Sequence, residues 1–183
     1  MKAAVRTPGV RVTGGGFRGR SLAVPPGARP TEGRVREALF SMLGSVEGAR
    51  ALDLFAGSGA LGLEALSRGA AEVTFVDSAP AAVRAVRANL DALGAEAELR
   101  RADARAFLRN ARASGRQYDL VFLDPPYRRA GALAEALAAD LATVLAPRAR
   151  VVVESDRRSP LALPVPLQVE RRYGDTLIRI HSP

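Results

Sequence analysis

The chain has 183 residues, and its content of 48% hydrophobic and 25% charged residues is typical of one soluble globular domain. Cysteine is absent, which excludes disulfides, zinc-thiolate sites and a cysteine nucleophile, and the lone histidine, His181, makes a Ser-His-Asp triad or a histidine-rich metal site hard to build. No apolar run reaches the roughly 18 residues that cross a bilayer, and the N-terminus lacks the apolar core of a signal peptide, so we expect a cytoplasmic protein.

The formal net charge of +8 is concentrated near the N-terminus. Residues 1–36 contain Lys2 and seven arginines against the single acid Glu32, which gives this segment a net charge of +7. A basic cluster on an otherwise balanced chain is typical of a protein that contacts a phosphate backbone. The alternative is a solvated, charged arm. We expect nucleic-acid contact through this segment.

The first elements in the chain are a predicted appendage and a helix. Residues 10–24 are expected to form a small β unit with glycines at its turns, and Pro25-Pro26-Gly27 breaks it. Thr31 is placed to cap a helix whose apolar positions recur on one face, which leaves Arg34 and Arg36 nearer the outside. Those apolar positions are Val35, Leu39, Met42, Leu43 and Val46. We therefore expect a single domain, with a basic N-terminal β appendage over 1–28 and a catalytic core over 29–183.

From Ala51 onward, short apolar runs alternate with helical patterns, which is typical of βαβ units and a mostly parallel sheet. Strands are predicted at 50–54, 72–76, 97–101, 118–123 and 149–154. Helices are predicted at 60–68, 79–93, 104–113 and 131–145, with Gly69 and Gly94 where C-terminal caps belong. The tail departs from this alternation, because 166–173 and 175–181 are strand-like runs joined by a turn, and they predict an antiparallel hairpin at the sheet edge.

A glycine-rich segment, Asp53–Gly62, follows the first core strand and opens a helix. Glycines at 57, 59 and 62 let the backbone turn tightly and approach a ligand, and Asp77 lies 20 residues beyond Gly57, where an acid binds a ribose. The pattern is typical of a nucleotide-type cofactor loop and is compatible with a nicotinamide dinucleotide. An oxidoreductase is disfavoured, because the chain offers no histidine in this region and no Tyr-x-x-x-Lys pair for proton transfer.

The acid at the end of the first core strand distinguishes between two kinds of cofactor. The carboxylate of Asp53 would repel the pyrophosphate of a dinucleotide, whereas it would attract a cationic ligand. S-adenosylmethionine carries a sulfonium and an ammonium group and no phosphate. The sequence therefore favours S-adenosylmethionine, with Asp77 on its ribose.

The motif Asp124-Pro125-Pro126-Tyr127 ends the fourth core strand, at the edge where doubly wound sheets bind ligands. The exocyclic amine of a base is a poor nucleophile, because its lone pair is delocalised into the ring, so a catalyst must accept its hydrogens. Asp124 and the carbonyl of Pro125 can accept them, and Tyr127 can stack on a base flipped out of its helix. The alternative is a plain strand end, in which Asp124 caps a turn and Tyr127 packs in the core.

Four segments together resemble the bacterial 16S ribosomal RNA guanine-N2 methyltransferases, which act on the small ribosomal subunit. The segments are Gly15–Arg20, Arg29–Phe40, Asp53–Gly62 and Asp124–Tyr127, and the likeness spans nearly the whole chain. The resemblance implies an α/β fold of the Rossmann-like class I methyltransferases, with a mostly parallel seven-stranded sheet, an antiparallel C-terminal hairpin and a small N-terminal β extension. It also implies direct methyl transfer from S-adenosylmethionine to the N2 amine of a guanine in 16S rRNA, without a covalent enzyme intermediate.

The same resemblance implies roles for individual residues. Cofactor contacts are expected from Asp53, Phe55, Ala56, Gly57, Gly59, Asp77, Ser78, Asp103, Ala104 and Thr31. Catalytic roles are expected for Asp124, Pro125 and Tyr127, and RNA contacts for Arg18, Arg20, Arg29 and Arg34. The segment Arg29–Arg34 is expected to close over the methionine end of the cofactor or over the RNA. Asp103 is equally well placed to cap the helix that begins at Ala104.

The residues alone leave other functions open. Related motifs of an acid or amide, two prolines and an aromatic residue serve amino-methyltransferases that act on DNA adenine or on a protein glutamine. A non-catalytic RNA-binding module with a vestigial cofactor loop is a further alternative, although the intact Asp53, Asp77 and Asp124 argue against it. The expected partner is 16S rRNA or the assembling 30S subunit, and we expect a monomer with no metal and no membrane contact.

Overall fold

The computed structural model describes residues 9–28, 30–125 and 130–183, along which helices and strands alternate as predicted. The helices are α1 (Gly33–Leu43), α2 (Ala60–Ser67), α3 (Pro80–Leu93), α4 (Ala104–Ala113) and α5 (Ala130–Thr143). The strands are β1 (Arg50–Leu54), β2 (Glu72–Asp77), β3 (Glu98–Arg101), β4 (Tyr118–Leu123), β5 (Leu145–Asp156), β6 (Leu167–Tyr173) and β7 (Thr176–His181).

The strands form one seven-stranded sheet in the order β3-β2-β1-β4-β5-β7-β6. Strand β1 pairs in parallel with β2 and β4, and the parallel pairing continues to β3 on one side and to β5 on the other. Strand β7 is antiparallel to both β5 and β6. The predicted mostly parallel sheet with an antiparallel C-terminal hairpin is therefore confirmed. Because parallel strands point the same way, the carboxyl ends of β1 to β5 meet at one edge.

Alternate residues of the central strands pack on opposite faces of the sheet. One buried cluster joins the strands to α1, α2 and α3, and it includes Ala51, Phe75, Phe122 and Val152. The second joins them to α4 and α5, and it includes Leu52, Leu54, Val121 and Val153. The same alternation turns Asp53, Asp124 and Glu154 towards the face of α1, α2 and α3.

The N-terminal appendage, described over residues 9–28, is held against α2 by a buried carboxylate. Glu64 accepts hydrogen bonds from the amide of Thr13 at 2.8 Å, from its hydroxyl at 2.7 Å and from the amide of Gly14 at 2.8 Å. Over these residues the β pairing is limited to an isolated antiparallel bridge between Arg11 and Ser21. The β unit is therefore smaller than predicted over 10–24, because contacts to α2 replace a strand ladder.

Two predictions about the first helix are wrong. Helix α1 begins after Glu32, which makes no side-chain capping bond, and Thr31 does not cap it. Arg36 does not lie near the outside: it is 1% exposed, and its Nε lies 3.8 Å from Oε2 of the buried Glu64. A buried acid on α2 thus draws Arg36 into the interior. Arg34 is exposed, as predicted.

Element boundaries differ most at the last crossover. Helix α5 ends at Thr143 and β5 runs from Leu145 to Asp156, so the predicted helix extends too far and the predicted strand starts too late. Gly94 has a φ of 64° and ends α3 as predicted, whereas Arg68 caps α2 and Gly69 follows it. Within the described ranges, each helix is too short or too polar to cross a membrane.

Candidate active site

Acidic side chains lie at the carboxyl end of each parallel strand. In sheet order they are Asp103 after β3, Asp77 in β2, Asp53 in β1, Asp124 after β4 and Glu154 in β5. The register places Leu54 beside both Val76 and Leu123, which aligns the ends of the three central strands. The acids therefore follow one another along a single edge, and we call them the acidic row.

The loop from β1 to α2 turns sharply beside the acidic row. Phe55 has a φ of 64°, which is uncommon for a residue other than glycine, and Gly59 at the N-cap of α2 has a φ of 77°. At Gly62 in the first turn of α2, an added Cβ would overlap the Phe75 ring and lie 3.0 Å from Oδ2 of Asp53. The glycines therefore allow α2 to begin directly over the sheet.

Asn89 of α3 joins this loop to the N-terminal appendage. Its side chain donates to the carbonyls of Ser58 at 2.9 Å and Ala23 at 3.0 Å, and it accepts from the amide of Ala23 at 2.6 Å. Asn89 is 2% exposed. Sequence reasoning missed it, because a polar residue in an amphipathic helix gives no signal of the two backbone segments that it connects.

Asp53 is 2% exposed, and its Oδ2 accepts a hydrogen bond of 2.9 Å from the amide of Gly62. Burial raises the pKa of Asp53 to about 8; the Gly62 hydrogen bond opposes this shift, and the charge of Asp77 adds to it. A nearby cation would stabilise the ionised form of such a group. This position therefore suits a cationic ligand.

Asp77 and Asp103 hold backbone turns with their carboxylates. Asp77 accepts from the amide of Gly57 at 2.9 Å and from the amide of Ala79 at 2.8 Å, so it ties the glycine loop to the start of α3. Asp103 caps α4 by accepting from the amide of Ala106 at 3.0 Å. The capping role that the sequence left open for Asp103 is confirmed, and its contact with a cofactor stays a prediction.

The other residues predicted to contact a cofactor lie at the same edge. The amide of Ala56 donates to the carbonyl of Val76 at 3.1 Å, which closes the loop onto β2. Ser78 is exposed directly after β2, and Ala104 is buried at the start of α4. The fold therefore brings these predicted positions together, and their cofactor contacts stay predictions.

Asp124 and Pro125 follow β4 on the other side of the glycine loop. Asp124 is half-buried and Pro125 is buried. Burial raises the pKa of Asp124 well above its ordinary value, and the charges of Glu154 and Asp53 raise it further. Tyr127 lies outside the described residues, as does Pro126. Once ionised, a carboxylate with such a raised proton affinity is a strong acceptor for the hydrogen of an amine.

Glu154 is a member of the acidic row that sequence reasoning missed. It is 5% exposed and accepts a hydrogen bond of 2.5 Å from the hydroxyl of Thr31. Burial raises the pKa of Glu154, while the Thr31 hydrogen bond and the charge of Arg36 lower it. The available signal was an acid that ends the apolar run 151–153, the same signal that identified Asp53 and Asp124. In the part of the chain that the structure describes, the acids do not form a cluster that could hold a metal ion.

The arginines predicted to contact RNA lie mainly on the surface. Arg18, Arg20 and Arg34 are exposed, and Arg29 lies outside the described residues. Arg20 donates to the carbonyl of Ala92 near the end of α3, which anchors its side chain to the core. Arg18 and Arg20 belong to the N-terminal appendage and Arg34 to α1, and the RNA contacts of these arginines stay predictions.

The chain is similar to known proteins over nearly its whole length. The family described as Conserved hypothetical protein 95 matches residues 10–182. Ribosomal RNA small subunit methyltransferase D of Escherichia coli K12 is 48% identical over 124 residues, which are 66% of this chain and 61% of that protein, so the match spans less than two thirds of the relative. A Bacillus subtilis protein named "Putative rRNA methyltransferase YlbH" is 38% identical over 94% of this chain and 98% of that protein.

Among solved structures, the Escherichia coli protein yhhF has the same fold, with a TM-score of 0.82 and 39% identity. The superposition covers 96% of this chain and 98% of that chain. The family match and the fold therefore agree over nearly all of the sequence. The chain belongs to the family described as Conserved hypothetical protein 95, the family of the small-subunit rRNA methyltransferases that its motifs resemble.

Proposed function

We propose that this protein is an S-adenosylmethionine-dependent methyltransferase that methylates the exocyclic N2 amine of a guanine in 16S rRNA. The observation that carries the proposal is the placement of Asp53 and Asp124 on neighbouring strands of one sheet edge. The first acid lies beside a glycine loop, and the second is followed by the buried Pro125. The edge therefore offers a site for a cationic nucleoside next to a site for an amine. Family membership supports rRNA as the target.

The residues present fit S-adenosylmethionine. Asp53 is a buried acid whose pKa of about 8 leaves it largely protonated near neutral pH, and a cationic ligand would favour its ionised form. Each carboxylate oxygen of Asp77 accepts one backbone amide, which leaves a lone pair on each for a ribose hydroxyl. Gly57 and Gly59 allow close approach of a ligand to the backbone. When bound, the cofactor supplies a methyl group that its sulfonium already activates.

Asp124 and Pro125 have the chemistry that an aromatic amine requires. Asp124 accepts one hydrogen of the guanine amine and the carbonyl of Pro125 accepts the other, which localises the lone pair on nitrogen. As the new N–C bond formed, the bond from the methyl carbon to sulfur would break and leave its electron pair on sulfur, the nitrogen would gain positive charge, and ionised Asp124 would take the proton that the nitrogen releases. The reaction needs no covalent intermediate, because correct positioning supplies most of the acceleration. Tyr127 is assigned the stacking of the flipped base.

The exposed arginines give the enzyme a way to bind RNA. Arg18 and Arg34 are assigned to phosphate contacts, together with Arg20 and Arg29. Such contacts position the substrate without reading its sequence, so the surrounding structure of the RNA or of the assembling subunit selects the guanine. An enzyme that acts on 16S rRNA works where ribosomes are assembled, so the proposal includes a cytoplasmic location.

The test is methyl transfer to rRNA from cells that lack the enzyme. Purified protein is incubated with labelled S-adenosylmethionine and either free 16S rRNA or partly assembled small subunits, and the products are digested and analysed by mass spectrometry. Label in N2-methylguanine at one position is the expected result. Label in DNA or in a protein glutamine, with none in RNA, would show that rRNA is not the substrate and that DNA or protein is.

The role of Asp124 is tested in the same assay. Asp124→Ala is expected to bind S-adenosylmethionine and to lose at least about 100-fold in turnover, because the amine loses its main acceptor. Asp119→Asn is the matched control, because Asp119 lies in the same strand, partly exposed, and pairs with Arg50 at 3.1 Å. Near wild-type turnover of Asp124→Ala would refute the assigned role.

A further inference from the structure

Glu154 is a buried carboxyl group that the proposed reaction does not use. It follows Val153, which is in register with Leu123, so Glu154 lies beside Asp124 where β4 ends. On its other flank, β5 pairs Glu154 with Ile178 of β7, which is apolar. Its carboxyl group is therefore shielded from water and close to the acid assigned to catalysis.

A hydrogen bond fixes the orientation of this group. The hydroxyl of Thr31, itself 7% exposed, donates to Oε2 of Glu154 at 2.5 Å. Arg36 holds the same segment, because its guanidinium donates to the carbonyl of Thr31 at 2.5 Å and to the carbonyl of Arg11. The Thr31 hydroxyl thus reaches Glu154 from a segment that is anchored at a second point.

Arg36, whose charge lowers the pKa of Glu154, forms its salt bridge with a different acid. Arg36 pairs with Glu64, at 3.8 Å between Nε and Oε2, so it acts on Glu154 through space only. The salt bridges among the described residues do not include Glu154. Two neighbouring acids, of which Glu154 is buried and Asp124 half-buried, disfavour the charged state of each other, and an apolar residue at position 154 would continue the preceding valine run at lower cost. Such an unfavourable arrangement is typical of a functional site.

We propose that Glu154 is a positioning residue: held by Thr31, it places a second negative charge beside Asp124 and so strengthens Asp124 as the acceptor of the amine hydrogen. The inference rests on the proposed function. The groups that face Glu154 are Asp124 from β4, Thr31 and Arg36 from the α1 side, and Ile178 from β7. The negative charge among them belongs to Asp124, so the effect of Glu154 falls on that group.

The sign of the effect is fixed by electrostatics. The charge of Glu154 raises the pKa of Asp124, in addition to the effect of burial, so removing that charge lowers it. Asp124 then ionises at lower pH, but its carboxylate is a weaker base than in the wild type and so a weaker acceptor of the amine proton. A variant without the charge should therefore work at lower pH but with a smaller maximal rate.

The kinetic test compares pH profiles for RNA methylation. In Glu154→Gln, the acidic limb of kcat/KM should move to lower pH, and kcat on the plateau should fall by about tenfold. Glu154→Asp restores the charge and should return the limb towards its original position. Ser155→Ala is the matched control, because Ser155 is the next buried residue of the strand and faces the other side of the sheet. Its profile should match that of the wild type.

A second readout needs neither RNA nor cofactor. The side-chain carboxyl carbons of aspartate are labelled with ¹³C, the Asp124 signal is assigned with Asp124→Asn, and its titration is followed by NMR. Glu154→Gln should shift this titration to lower pH. Glu154→Met, whose apolar side chain suits the buried strand, should cause the same shift and serves if the glutamine variant does not fold.

The outcomes separate the two proposals. Unchanged titration of Asp124 and an unchanged kinetic limb in both charge-free variants, with only stability altered, would show that Glu154 is merely structural. If the wild-type protein methylates no RNA, the proposed function fails, while the carboxyl titration still decides whether Glu154 acts on Asp124.

Discussion

The amide of Gly62 donates a 2.9 Å hydrogen bond to Oδ2 of Asp53 and so joins the first turn of α2 to the carboxyl end of β1. Asp53 needs this donor, because its carboxyl group is otherwise enclosed between Phe75 and the helix. A single backbone donor does not compensate for the lost hydration of a full charge, and the pKa of Asp53 accordingly stays at about 8. If the cofactor binds beside Asp53 as proposed, its binding is coupled to the proton on this group.

The first prediction concerns this coupling. A cationic cofactor favours the ionised form of Asp53, so binding should release a proton near neutral pH, and affinity should rise with pH up to about 8 by as much as about tenfold per pH unit. Calorimetry in buffers of different ionisation enthalpy measures the released proton. Asp53→Asn keeps an acceptor for Gly62 but should bind S-adenosylmethionine weakly and without this pH dependence. Proton release that persists in Asp53→Asn would assign it to another group.

The same carboxyl group predicts how stability depends on pH. The folded-state pKa of about 8 lies above the ordinary value of 3.8, so the folded protein keeps a proton that the unfolded chain has lost between these two values. The stability of the ligand-free protein should therefore decrease as the pH rises through this window, by linkage. Asp53→Asn should show a smaller loss of urea midpoint between about pH 5 and pH 8. An equal loss would mean that Asp124 and Glu154 account for the dependence.

The features that the sequence predicts well are those with a local signal. Alternating apolar runs and helical periodicity identify the parallel strands, and an acid that follows an apolar run identifies Asp53 and Asp124. Glu154 ends the apolar run 151–153 in the same way and carries the same local signal. The rule holds for the acids of β1, β2, β4 and β5, whereas Asp103 follows β3, whose residues are charged apart from Leu99.

The features that the sequence predicts poorly depend on distant partners. Arg36 is buried because Glu64 lies opposite it on α2. Thr31 does not cap α1, because its hydroxyl donates a hydrogen bond to Glu154 instead. Neither partner is visible from the residues around α1. Periodicity places Arg36 next to Val35 at the border of the apolar face, and tertiary contact decides on which side of that border it lies.

Asn89 should stabilise both the fold and the glycine loop. Asn89→Ala removes three buried hydrogen bonds to Ser58 and Ala23 and leaves backbone groups without their partner, so the free energy of unfolding should fall by about 1–3 kcal/mol. Affinity for S-adenosylmethionine should also fall, because Ser58 lies in the loop. Urea unfolding and calorimetry measure the two effects. Arg87→Ala, exposed on the same helix, is the control and should change neither quantity. If Asn89→Ala binds S-adenosylmethionine with unaltered affinity, the cofactor-binding conformation of the glycine loop does not depend on the Asn89 side chain.

Substitution of Glu64 should destabilise the protein strongly, because Glu64 is 0% exposed and pairs with the buried Arg36. Glu64→Gln leaves the guanidinium of Arg36 without its counter-charge, and the expected loss in free energy of unfolding is about 3–5 kcal/mol. Arg68, which pairs with Glu64 at 2.8 Å, is partly exposed and should contribute less. Asp175→Asn breaks an exposed pair with Arg157 and is the matched control, expected to change stability by less than about 0.5 kcal/mol. A similar small change in Glu64→Gln would mean that hydrogen bonding to Thr13 and Gly14, rather than charge, holds the appendage.

The final prediction tests the basic surface. If Arg18 and Arg34 contact phosphates, each replacement by alanine should weaken RNA binding and reduce the slope of log Kd against log salt by about one, because one fewer counterion is released. Arg109→Ala changes the charge equally from an exposed position on α4 and should leave the slope unchanged. Binding to 16S rRNA fragments is measured by filter retention over a range of salt concentrations. Equal effects of all three replacements would point to long-range attraction by the net charge of +8. A selective effect of Arg18 and Arg34 would place the RNA on the surface that the appendage and the first turn of α1 expose.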